Sequence, residues 1–199
     1  MDMSIYLNAL TAFFVIIDPI GAALIFHSLV PAEDKRFRVI MAVKSAIIAL
    51  LLLVVFGNYG ESLLTKLGIS IHSLKISGGL LLFFTAFNMI TRDLEPSSVN
   101  TTKKDISVFP MSIPLMAGPG SLTLAILLFS SSMEDSVQLS VLLASISIIF
   151  LTMVLMILSE YVKLVIGRTG DEILRRFLGV ILAALAIQFI YDGIFGITH

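Results

Sequence analysis

Cysteine is absent from the 199 residues, which rules out disulfides, thiolate metal sites, iron–sulfur clusters and a cysteine nucleophile. Histidine is nearly so, and His27, His72 and His199 fit no zinc spacing. Charge is the third shortage: 14% of residues are Asp, Glu, Lys or Arg, where a water-soluble domain carries about a quarter. The 13 basic and 14 acidic residues leave a net charge of −1, so no cationic excess exists to hold a phosphate backbone, and nucleic acid is excluded as a partner. What fills the chain is apolar, with 57% hydrophobic residues and a mean hydropathy of +1.02. A globule of this composition cannot cover itself in water. The lipid bilayer is the partner it fits.

A helix crosses the hydrocarbon with about 20 mostly apolar residues, and six stretches qualify, at 4–30, 39–60, 71–91, 106–131, 137–159 and 174–196. The first has no basic leader and no small-residue cleavage site, so it reads as a retained span and not a signal peptide. Lys and Arg are held on the cytoplasmic side. With the N-terminus outside, the inner loops hold Lys35, Arg36, Arg38, Lys44, Arg92, Lys103, Lys104, Lys163, Arg168, Arg175 and Arg176, against Lys66 and Lys75 outside. Both termini are therefore expected on the extracytoplasmic side. Tyr6, Tyr59, Tyr161 and Tyr191 fall near span ends, where amphipathic rings favour the headgroup layer.

Sliding the sequence by one hundred positions lays the third span on the sixth. Leu74, Gly79, Leu82, Ala86 and Ile90 meet Leu174, Gly179, Leu182, Ala186 and Ile190, with Lys75 over Arg175 and Asn88 over Gln188. The same offset superposes Asp18-Pro19-Ile20-Gly21 in span one on Gly118-Pro119-Gly120-Ser121 in span four. Three spans per repeat is an odd number, so the second copy enters the membrane from the opposite side. The expected fold is therefore all-α: one polytopic transmembrane domain over 1–199, built as two inverted three-helix repeats, 1–91 and 106–199, joined by a linker at 92–105.

Pro removes an N–H and clashes with the preceding turn, and Gly costs about 1 kcal/mol in a helix interior relative to Ala. Both repeat-related segments, Pro19 with Gly21 and Pro119 with Gly118 and Gly120, should open the helical ladder, and Pro110 and Pro114 precede the second. Counted along the spans at about 1.5 Å per residue, Asp18 and Gly118 reach the bilayer midplane from opposite faces. Helix N-termini there suit a carboxylate, and opposing carbonyls suit an ammonium or cation, so the pair describes a site for a small zwitterion. The candidate substrate-binding residues are Asp18, Pro19, Ile20, Gly21, Gly118, Pro119, Gly120 and Ser121.

Asp18 is the one acid well inside a span, where a charge costs about 2.5–3.5 kcal/mol. It reads as a ligand for an ammonium or Na⁺ or a proton carrier, and also as the N-cap of a half-helix restarting at Pro19, two readings that are compatible because a capped break is still a break. Lys44, inside span two, either snorkels to the cytoplasmic surface or pairs with Asp18. Asn88 and Gln188 occupy matching positions and either line the cavity or join helices.

The segment Phe13 to Gly21 with its Asp-Pro-Ile-Gly, the run Ile113-Pro114-Leu115-Met116-Ala117-Gly118-Pro119-Gly120-Ser121 and the six-span layout together resemble the MarC family of integral membrane proteins, whose members include SnatA-type transporters of small neutral amino acids. Ala22-Ala23 departs from the second proline of many relatives. The resemblance implies transport of glycine, alanine and similar amino acids across the inner membrane, linked to an ion gradient. On that reading Asp18 orients the amino group or the coupling ion, H⁺ or Na⁺.

The residues favour a secondary transporter working by alternating access. A channel needs a continuous polar stripe, which no span carries. An intramembrane enzyme needs a nucleophile with a base, or a metal set, and no His lies deep in a span beside a matching Ser or Asp. No catalytic residue, cofactor or metal is expected. A non-transporting membrane protein is the remaining alternative, and a homo-oligomer is compatible with either.

Overall fold

In hydrocarbon a backbone N–H or C=O without a partner is so costly that each apolar stretch must satisfy its own ladder. A computed structural model describes residues 2–30, 34–91, 105–131 and 134–198 and is helical nearly throughout. The elements are α1 (Met3–Ile17), α2 (Pro19–Leu29), α3 (Lys35–Lys66), α4 (Ile71–Thr91), an irregular segment Ser107–Met116, α5 (Pro119–Ser130), α6 (Asp135–Ile157) and α7 (Ser159–Thr198), with no strand among the described residues. Of the linker expected at 92–105 only Asp105 is described; Arg92, Lys103 and Lys104 of the charge count lie outside the described residues.

Among the described residues five helices are long and apolar enough to cross a membrane: Met3–Leu29, which joins α1 and α2, then Lys35–Lys66, Ile71–Thr91, Asp135–Ile157 and Glu172–Ile197. The irregular segment and α5, bent by 57°, form the sixth candidate. The ends are set by local chemistry. Asp2 accepts from the N–H of Ser4 and Ile5 at the start of α1, and Asp34 accepts from the Phe37 N–H at the start of α3. α3 stops at Leu67 and Gly68, where φ is +71°, and Ser70 then caps the Ser73 N–H to start α4.

Two apolar clusters divide the molecule. The larger gathers Phe13, Phe26, Leu53, Met111, Met116, Ile148 and Met156 with their neighbours, from α1, α2, α3, the irregular segment and α6, and α5 contributes Leu124, Ala125 and Phe129. The smaller joins Leu82 and Ala86 of α4 to Leu182 and Ala186 of α7, with Val15 of α1 seated against them. α4 and α7 form the most extensive helix pair in the chain, and α4 scarcely touches α3, which precedes it.

That pair is close because glycine lines it. A Cβ on Gly79 would lie 2.7 Å from the Ala186 carbonyl oxygen and 3.1 Å from the Ile190 nitrogen; a Cβ on Gly179 would lie 3.3 Å from the Ala86 carbonyl oxygen and 2.9 Å from Ile90 Cγ1. Small residues let helix backbones approach where apolar side chains gain nothing by leaving lipid. Large apolar side chains of both helices, among them Phe84, Phe87, Phe177 and Val180, remain exposed on the outside of the pair, as a lipid-facing surface requires.

Tyr59, Tyr161 and Tyr191 are exposed, as headgroup anchors would be. Tyr6 differs: its hydroxyl is 3.0 Å from Ser147 Oγ on α6, because a phenol at this depth gains more from a protein partner than from lipid.

Candidate functional site

The two interrupted helices are interrupted differently. In span one the break is a single residue. Asp18 takes the left-handed conformation (φ 47°, ψ 72°) and its N–H still reaches the Phe14 carbonyl at 3.1 Å. Its carboxylate turns forward onto the Gly21 N–H at 3.0 Å, and its carbonyl accepts from Ala22. The capping alternative is thus realised: Asp18 ends α1 and caps α2, whose first residue is the fully buried Pro19. Gly21 is required there, since a Cβ would sit 2.2 Å from Asp18 Oδ2. Ile20 is half-buried.

In span four the break is broad. Phe109 and Ile113, each before a proline, are driven to extended backbone (φ near −125° and −122°), as the proline ring demands of the residue it follows. Gly118 is also extended (φ −79°, ψ 174°), and α5 restarts at Pro119 with no side chain capping its N-terminus. Ser121 is buried, and its hydroxyl turns back to the Met116 carbonyl at 2.9 Å and the Gly118 carbonyl at 3.1 Å. The Gly118 carbonyl also accepts from the Leu122 N–H at 2.9 Å, the first bond of α5. Ser112, in the irregular segment well before Ser121, likewise donates to carbonyls, those of Ser107 at 2.6 Å and of Ser45 on α3 at 3.0 Å. Gly118 is buried and Pro119 exposed.

The breaks meet at Gly120. A Cβ there would lie 2.3 Å from Leu82 Cδ2 of α4 and 3.5 Å from Ile16 Cγ2, two residues before Asp18. The structure therefore sets Gly120 of α5 against Leu82 of α4 and Ile16 of α1, with Asp18, Pro19 and Gly21 together at the first break and Gly118, Gly120 and Ser121 together at the second. It does not add the other candidates. Lys44, weighed as a partner for Asp18, is exposed, and its Nζ meets Asp105 Oδ2 at 3.2 Å. A long flexible ammonium at a span end gains more from a solvated carboxylate than from entering the bilayer interior. Gln188 is exposed and donates to Asp192 Oδ1 at 2.7 Å on its own helix, and Asn88 is half-buried on α4.

Sequence reasoning missed Leu82 as the cover over the second break. It was visible only as one of the repeat identities, and nothing local says which helix will face Gly120. It also missed the buried Arg38, whose guanidinium meets Glu160 at 3.2 Å across the two halves of the chain. Outside the membrane, Asp105 is held below the ordinary carboxylate range by the Ser107 hydroxyl, then by the Ser107 N–H, with Lys44 adding to both against some desolvation. Among the described residues no group of three His, Asp or Glu gathers as a metal would require.

The model of the MarC family integral membrane proteins matches residues 3–198. The chain belongs to the MarC family. Its relatives are alike in length: a UPF0056 membrane protein of Methanocaldococcus jannaschii is 32% identical over 98% of each chain, one of Archaeoglobus fulgidus is 32% identical over 98% of this chain and 96% of its own, and one of Bacillus subtilis is 28% identical over 98% and 97%. No solved structure matches this MarC chain.

Proposed function

We propose that this MarC family protein is a secondary transporter carrying small neutral amino acids, glycine and alanine among them, across the cell inner membrane by alternating access, coupled to an H⁺ or Na⁺ gradient. The observation that carries this reading is the meeting of two interrupted helices at Gly120, walled by Ile16 and Leu82. Polar backbone is tolerated inside a bilayer where it is buried in protein or lines a cavity, and that is where transporters bind their cargo.

The two breaks divide the labour. The N-terminus of α2 already has an anion, the Asp18 carboxylate, whereas the N-terminus of α5 has no side-chain cap. A substrate carboxylate is therefore directed to the Gly120 and Ser121 end of α5, where the helix carries about half a positive charge. Asp18 is left to take the ammonium or the coupling cation. The small residues around the breaks restrict the cargo to small side chains.

An inverted repeat underlies the arrangement on this reading. Its support is the register of the α4 and α7 pair: Gly79 lies on Ala186 and Ile190 while Gly179 lies on Ala86 and Ile90, so partners one hundred positions apart exchange the same contacts. Two further correspondences agree: α2 packs on α7 as α5 packs on α4, and α2 packs on α6 as α5 packs on α3. The Lys and Arg distribution supports an orientation with both termini outside.

Uptake of labelled glycine and alanine into proteoliposomes, with wild type, Asp18→Asn and Gly118→Leu, tests the reading. Uptake by wild type under an H⁺ or Na⁺ gradient and its loss in both variants is the expected result; active variants remove the site, and an inactive wild type under every gradient removes transport.

A further inference from the structure

We infer that α4 and the spanning part of α7 move as one rigid arm over the rest of the bundle, hinged at Gly68 and Gly167, with Leu82 as the side chain that covers and uncovers the break at Gly120. The inference deepens the transport reading and rests on it. Four observations carry it.

First, the arm is built on a separate apolar cluster, Leu82 and Ala86 with Leu182 and Ala186, which Val15 of α1 joins from the cluster-bearing core. Second, its two helices touch backbone to backbone. Gly79 sits on the Ala186 carbonyl, and at the far end a Cβ on Gly193 would lie 2.9 Å from the His72 carbonyl oxygen. Packing this close has no room for the helices to slide past one another, because interiors without voids resist continuous deformation. Third, the joints are glycines of a particular kind. Gly68 (φ +71°) and Gly167 (φ +62°) are the only positive-φ glycines among the described residues, and they precede the third and sixth spans. Around both, the space a Cβ would take is empty. Other glycines in this chain are there because a neighbour excludes a side chain; at these two the backbone conformation itself is the demand, as at a hinge that must absorb large dihedral changes. The two joints are ninety-nine positions apart, so each repeat supplies one.

Fourth, the arm packs on the core far less than on itself, chiefly where α7 meets α2 and where α4 meets α5, and the second of these contacts lies at the break. Gly120 lies under Leu82, and one turn of α4 away a Cβ on Gly78 would lie 3.0 Å from Thr123 Cβ on α5. Leu82 is 1% exposed. Swinging the arm about its two glycines withdraws Leu82 from Gly120 and opens the space between the interrupted helices, while the interface within the arm stays intact.

The chain has no cysteine, so paired cysteines report cleanly. Gly78→Cys with Thr123→Cys joins arm to core; His72→Cys with Gly196→Cys, where a Gly196 Cβ would abut the His72 ring, joins the two helices of the arm. Oxidation in proteoliposomes is expected to abolish uptake of labelled glycine in the first pair, reversibly by reductant, and to leave it in the second. Undiminished uptake by the oxidised first pair, or loss of uptake on oxidising the second, overturns the proposal. Spin labels on exposed sites supply a readout that needs no transport: Leu80→Cys with Phe177→Cys within the arm, and Leu80→Cys with Phe150→Cys from arm to core, in detergent with and without glycine. The arm distance should be single and constant and the arm-to-core distance split or shifted. A single, unchanging arm-to-core distance sinks the hinge whatever the uptake. A split distance in a protein that carries no glycine under any gradient keeps the hinge and removes the transport reading.

Discussion

The carboxylate of Asp18 occupies the space that a methyl group on Gly21 would need. Oδ1 accepts the Gly21 N–H at 3.0 Å, and Oδ2 lies 2.2 Å from the ideal Cβ position. Gly21→Ala must therefore expel the cap, and a loss of about 0.5–2 kcal/mol is expected, read as a lowered Tm in detergent. Asp18→Asn keeps an acceptor at the same place and tolerates the left-handed backbone. Its Tm should stay near wild type while glycine uptake falls, which separates the cap from the charge.

The seam between α4 and α7 predicts a graded response. Gly79 faces backbone at 2.7 Å and Gly179 faces it at 3.3 Å. A carbonyl cannot rotate out of the way as a side chain can, so Gly79→Ala should cost more than Gly179→Ala, with overpacking of about 1–3 kcal/mol for the first. Thermal melts of the two single variants in one detergent check the order.

Two ion pairs that join elements distant in sequence should differ in worth. Lys44 and Asp105 have side chains 52% and 53% exposed, whereas Arg38 is 6% exposed against 49% for Glu160. Lys44→Met is expected to cost less than about 1 kcal/mol. Glu160→Gln takes an anion from a buried guanidinium and should cost about 1–3 kcal/mol. The same melts decide, and equal effects would contradict the burial argument.

Asp105 provides a pH test. Its folded pKa is depressed, chiefly by the Ser107 hydroxyl, below the ordinary value of 3.8. A depressed carboxylate contributes stability that is present above its unfolded pKa and lost as pH falls through the folded one. The contribution should therefore persist at neutral pH and disappear below 3.8. Ser107→Ala should bring the titration of Asp105, followed by NMR of the labelled carboxyl, back up toward that value.

The positions of the spans and of both breaks were legible in the sequence, because each depends on a short stretch of chain. Twenty apolar residues must make a helix in lipid wherever they pack, and Pro19, Gly118 and Pro119 interrupt a ladder with groups they lack or add locally. The cap at Asp18 was foreseeable for the same reason, as a bond over three residues. What only the tertiary structure decided was company. Lys44 met Asp105 rather than Asp18, Gln188 turned to Asp192, and Leu82 came to lie over Gly120. Each of these depends on how far apart two helices settle and how they are rotated. In a chain where nearly every span is apolar all round, hydropathy carries no record of which face a helix will turn inward; close packing at a few glycines makes that choice.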